Sequence, residues 1–117
     1  MSNQTPILTD LSGGRVQYYR LNADRSVSPV PGDANATLQW AYEFTESDRR
    51  VARDEYGDVT VSTVFLGLDP NFLEKGPPLI FETMVFGGPL DQEQTRASTW
   101  DEAVQQHKAM CQKVVGA

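Results

Sequence analysis

The chain has 117 residues, 39% hydrophobic and 22% charged, and its 10 basic against 16 acidic side chains leave a net charge of −6. That length fits one domain with one core, which hides roughly two thirds of the surface the unfolded chain exposes. The acid excess opposes the basic footprint of a nucleic-acid binder, and no window reaches the roughly 18 apolar residues of a membrane span.

The opening stretch MSNQTPILTD lacks the basic and apolar regions of a signal peptide, and residues 1–14, ending in Ser12-Gly13-Gly14, read as a loose arm before a single domain over 15–117. Arg15–Leu21 has the β-branched and aromatic content of a strand. Asn22-Ala23-Asp24 turns the chain, and Ser26–Val30 returns as a short partner ended by Pro31-Gly32. A helix then begins after Asp33 or Asn35, with Leu38, Ala41 and Tyr42 on one stripe, Phe44 beside it and Trp40 near its edge. It stops near Thr45–Ser47.

Arg50–Asp54 reads as a strand, Glu55-Tyr56-Gly57-Asp58 as a turn, and Val59–Leu66 as a strong strand. After the loop Gly67–Pro77 comes a second strong strand, Pro78–Phe86, closed by Gly87-Gly88-Pro89. Thr95-Arg96-Ala97 adds a brief edge strand. Thr99 followed by Glu102 is a capping box for a last helix, along which Trp100, Ala103, Val104, His107, Cys111 and Val114 share a face. Short connections favour antiparallel pairing, so the expected fold is α+β: an antiparallel sheet of four to five strands packed with two helices.

Both strong strands are apolar on two faces: Val61 and Phe65 oppose Val64 and Leu66, and Leu79, Phe81 and Val85 oppose Ile80, Met84 and Phe86. Either helices cover both sides of the sheet or a second subunit covers one, and a homodimer is an expectation on that ground.

Catalytic motifs are scarce. There is no phosphate loop, dinucleotide fingerprint, nucleophile elbow or Cys/His pair at zinc spacing, so no catalytic residue, metal ligand or cofactor is assigned. The candidate ligand-binding residues are Asp69, Asn71, Glu82, Arg96 and His107. His107 is either a general base or ligand near acids of the sheet or an imidazole packed on the inner helix face with one satisfied hydrogen bond, and the packed reading is preferred. Glu82, between Phe81 and Thr83, needs a partner from Arg96, Arg50 or Arg53, and a structural ion pair is preferred over catalysis, with an edge-strand charge that discourages aggregation as a third reading. Asp69-Pro70-Asn71 has the polar groups of a binding loop and also of a plain turn, and the turn reading is preferred. Tyr18-Tyr19 and Trp40 with Tyr42 stack a base or a partner, or belong to the core, which is preferred. The lone Cys111 cannot pair within the chain, which points to the cytoplasm.

The runs VSTVFLGLD (61–69), PPLIFETMVFGG (77–88) and STWDEAVQQH (98–107), with Trp40–Phe44 and DRRVAR (48–53), resemble a family of small proteins of tailed bacteriophages and prophages over roughly residues 15–115. The resemblance implies a phage source and the bacterial host cytoplasm, and it transfers no activity. Members commonly read Gly-Leu-Asp-His where this chain has Gly67-Leu68-Asp69-Pro70, so a histidine that would stand with His107 is replaced by proline. That departure favours binding over catalysis. The leading expectation is a non-enzymatic interaction module whose partner is a host or phage protein or a small signalling ligand, acting against a host defence or regulatory factor. The alternatives are a small enzyme using Glu82, Asp69 and His107, and a minor virion or assembly component.

Overall fold

A computed structural model of the chain describes residues 18–69 and 76–117. The expected arm over 1–14 and the candidate Asn71 lie outside the described residues. The order of elements is Tyr19–Leu21 (β1), Val27–Pro29 (β2), Ala34–Glu46 (α1), Arg50–Tyr56 (β3), Val59–Phe65 (β4), Phe81–Phe86 (β5), Gln94–Ala97 (β6) and Trp100–Gly116 (α2). β3 to β6 form an antiparallel sheet in chain order, and β1 and β2 form a separate two-stranded ribbon, so the fold is α+β as expected.

Local sequence explains most boundaries. The Asp33 carboxylate accepts from the Ala36 amide and so caps α1, which ends at Ser47. At α2, Thr99 Oγ1 accepts from the Glu102 amide at 3.1 Å, while the Glu102 carboxylate accepts from Ser98 N–H, one residue before the cap. The turn between β3 and β4 is tighter than the sequence suggested: Glu55 and Tyr56 continue the strand, Tyr56 faces Val59, and Gly57 supplies the positive φ of 62°. β5 starts later than expected, at Phe81, although Ile80 still bonds through its backbone to Ala97 and Leu66.

Pleating divides the sheet into two faces. Val61, Thr63 and Phe65 of β4 and Phe81, Thr83 and Val85 of β5 point inward and are all buried. α2 lies on this inner face, burying Ala103, His107, Met110 and Cys111. α1 reaches the same core through Phe44, which packs against the cluster of Phe65, Ile80, Phe81, Ala97 and Ala103. Among the described residues both helices therefore lie toward the inner face, so of the two alternatives the one with helices on both sides is not met: Val64, Met84 and Phe86 share the opposite face, where Phe86 is 49% exposed.

The inward stripe of α1 is also corrected. Leu38 and Tyr42 are 69% and 71% exposed, whereas Phe44 packs against the core and Trp40, one turn before it, lies against Phe44. The reason is tertiary: Trp40 Nε1 donates to the Tyr19 carbonyl at 2.7 Å, and its ring lies 4.4 Å from Tyr18 and 5.0 Å from Phe44. An aromatic series then runs from Phe44 through Phe65 and Phe81 to Trp100. Gly67 leaves the room this series needs, because a Cβ there would overlap the Phe44 ring, and its φ of 80° disfavours any side chain.

Gly67→Ala is therefore expected to lower unfolding stability by about 1–3 kcal/mol from backbone strain alone, with the ring overlap adding to it. Urea denaturation followed by tryptophan emission measures this, and an unchanged midpoint would contradict the assigned packing.

Candidate functional site

Two places concentrate polar chemistry. The first lies under α2. The Thr99 cap sets the helix phase so that His107 and Cys111, four residues apart, both face the sheet. Beneath them Thr63 and Thr83 are cross-strand partners, their hydroxyls 2.6 Å apart. His107 Nδ1 lies 2.7 Å from Thr63 Oγ1, and His107 Nε2 lies 2.7 Å from Asp54 Oδ2 on β3. The result is an unbroken chain, Asp54–His107–Thr63–Thr83, through three strands and one helix.

With a neutral ring, Nε2–H donates to the Asp54 carboxylate and Nδ1 accepts from Thr63, which accepts from Thr83. With a protonated ring both nitrogens donate and the hydroxyl directions reverse. Either charge state satisfies both ring nitrogens.

A hydroxyl, an imidazole and a carboxylate in sequence have the connectivity of a nucleophilic triad. Burial decides against that use. Thr63 is 0% exposed, so no carbonyl or phosphoryl centre reaches its oxygen. The chain acts as a polar strut.

Cys111 stands at the solvent end of the strut. Its Sγ lies 3.8 Å from Asp54 Oδ2, and it is hydrogen-bonded to Tyr56. Burial pushes the Cys111 thiol up, and the Tyr56 hydrogen bond opposes that shift in part. The same hydrogen bond is the main cause holding the Tyr56 phenol up at about 12. Asp54, His107 and Cys111 place one ligand atom each within 4.8 Å of one another.

The second place is a cleft of about 170 Å³ between the ribbon, α1 and the start of β3, lined in part by Tyr19, Trp40, Phe44, Phe65, Arg20 and Arg49. Trp40 is pinned by its bond to Tyr19. Arg20 is held by Glu43 at 2.8 Å. The Arg49 guanidinium sits 4.3 Å above the Phe44 ring and, among the described residues, pairs with no carboxylate.

The sequence candidates are dispersed. Glu82 faces away from His107, because its neighbour Thr83 points inward; it pairs across strands with Arg96, Oε2 to Nη2 3.0 Å. Of the three arginines considered for it, Arg96 is the partner, and Arg53 pairs with Glu55 instead. Asp69 accepts from the Leu79 amide at 3.2 Å and ties the two sides of the loop it opens. Glu82 and His107 therefore line no common pocket. His107 is packed, as preferred, but with two hydrogen bonds rather than one.

Asp54, Thr63, Thr83 and the role of Cys111 escaped the sequence reading, as did Arg49. Signals for some of them existed. Asp54 occupies an inward position of β3, and the two threonines interrupt the buried apolar register of β4 and β5. The four-residue interval from His107 to Cys111 is a helical ligand spacing, which a search for loop-type zinc motifs passes over.

Thr63→Val keeps the volume but strands His107 Nδ1 and the Thr83 hydroxyl. A loss of about 1–3 kcal/mol in urea unfolding is expected. Thr63→Val/Thr83→Val should cost less than the two single changes added together, since the second change removes the hydroxyl that Thr63→Val alone strands, while in Thr83→Val alone Thr63 keeps its bond to His107. Strict additivity would show that the strut is not continuous.

Compared with family models, curated proteins and solved structures, the chain matches none.

Proposed function

We propose that this chain is a non-enzymatic binding module of phage type, acting in the bacterial host cytoplasm, whose cleft takes a small planar ligand bearing negative charge. The observation that carries the reading is the convergence of the Trp40 and Phe44 rings with the Arg49 guanidinium in one concavity. The aromatic side chains line the concavity with apolar surface against which a planar group can pack, and an arginine with no carboxylate partner among the described residues offers a charged hydrogen-bonding fork to an anion. A cleft of about 170 Å³ suits one ring system rather than a long chain.

The enzyme alternative loses support from the same geometry. An acid–base pair must reach one substrate, and Glu82 and His107 point to opposite sides of the sheet. Sequestering a small signal molecule is the form of host antagonism this cleft suits. The resemblance to phage proteins supports the setting, and the cleft supports the chemistry.

The chain has two tryptophans, Trp40 and Trp100, so Trp100→Phe leaves Trp40 as the sole reporter. Titration of that protein with 5′-mononucleotides and simple aromatic carboxylates should quench Trp40 emission saturably for at least one probe. Arg49→Ala should weaken that probe about tenfold or more, the effect of losing a hydrogen bond to a charged group. Unchanged emission with every probe at millimolar concentration would overturn the reading.

A further inference from the structure

The chain contains one histidine and one cysteine in 117 residues, and the fold brings both to one spot beside an accessible carboxylate. We propose that Asp54, His107 and Cys111 form a binding site for a divalent transition-metal ion of zinc type, in the seam between β3 and α2. This site is separate from the cleft and does not depend on the ligand-binding reading above.

The donor set is one imidazole nitrogen, one sulfur and one carboxylate oxygen, a mixture that suits borderline-soft zinc. The spacing is within reach of it, all three ligand atoms lying within 4.8 Å of one another. Tetrahedral zinc, with bonds of about 2.0 Å to nitrogen and oxygen and about 2.3 Å to sulfur, holds its ligand atoms about 3.4–3.6 Å apart. Here Sγ and Oδ2 are 3.8 Å apart, and Nε2 and Oδ2 are 2.7 Å apart, in direct hydrogen bond. Opening that hydrogen bond by less than an ångström admits the ion. Asp54 is free to make the adjustment, its side chain being 52% exposed, and its exposure is also the way in.

The supporting contacts are those a metal-bound histidine uses. The second nitrogen of such a ring is ordinarily fixed by a hydrogen bond, and Thr63, backed by Thr83, fixes Nδ1. His107 and Cys111 stand on consecutive turns of α2, so the helix itself sets their separation. A strut that only fastened the helix would need Asp54, His107 and the threonines. The Cys111 sulfur adds a soft donor at the third corner, with the Tyr56 hydroxyl beside it.

Binding balances simply. The ring proton moves from Nε2 to Nδ1, where it is donated to Thr63. The Cys111 thiol gives its proton to solvent, and three coordinate bonds form, with water completing the fourth position.

The test uses the full chain, stripped with chelator and titrated with cobalt(II) as the spectroscopic probe. Because Cys111 is the single cysteine, a thiolate-to-cobalt charge-transfer band reports on this site alone. The expected result is that band, with intense visible bands of tetrahedral cobalt, saturating at one ion per chain and abolished by one equivalent of zinc. Cys111→Ser should remove the charge-transfer band and weaken binding about a hundredfold, and Asp54→Asn should weaken it about tenfold. Absence of the band at equimolar cobalt in the unaltered protein overturns the proposal, as does a Cys111→Ser protein that binds equally well. If Cys111→Ser does not fold by circular dichroism, the unaltered protein's spectrum still decides.

Discussion

The hydrogen-bonded line from Asp54 through His107 to Thr63 and Thr83 is the constraint on which the rest of the molecule is arranged. Four side chains from β3, α2, β4 and β5 meet in it, and the three innermost are buried. Polar groups taken from water are costly when left unpaired, and here each is answered by the next. The consequence is registration. Any rotation of α2 about its axis, or any slip of β4 against β5, would break at least one of the bonds. Apolar packing alone tolerates such slippage far better.

On this fixed frame the aromatic series extends outward. Trp100 at the start of α2 meets Phe81 edge-on, Phe81 meets Phe65, and Phe65 meets Phe44 of α1. Phe44 and Trp40 then carry the contact to the ribbon at Tyr18. Thus the cleft is positioned by a run of rings anchored in the main core, although α1 and the ribbon lie at its margin. The metal seam and the cleft occupy different ends of this arrangement: the first depends on the strut directly, the second through the aromatic series. Loss of one site need not abolish the other.

Much of the fold was legible because its signals are local. The Thr99 cap with Glu102 three residues on, the β-branched run of β4, and Asp33 before α1 each state their structure within a few residues. The face of α1 was not legible. Leu38, Ala41 and Tyr42 make as good an apolar stripe as Trp40 and Phe44, and only the Tyr19 carbonyl and the neighbouring rings select between them. His107 was read as inward-facing from its helical spacing, yet its partners lie 44 and 53 residues away in sequence. Nothing local pairs it with Thr63 and Asp54. Glu82 drew attention as a charge in an apolar strand, but alternation turns it to the outer face, where Arg96 answers it. The polar residues that mattered were the two threonines, whose small size and β-propensity let them pass as ordinary strand residues.

The most direct test of the strut is the nitrogen spectrum of the single histidine by NMR in the metal-free protein. The account predicts two distinct ring nitrogens, with an Nε2 proton that exchanges slowly with water. It also predicts an observable Thr63 hydroxyl proton coupled to Nδ1. Averaged nitrogen shifts and a ring proton lost at the rate of a free imidazole would contradict it.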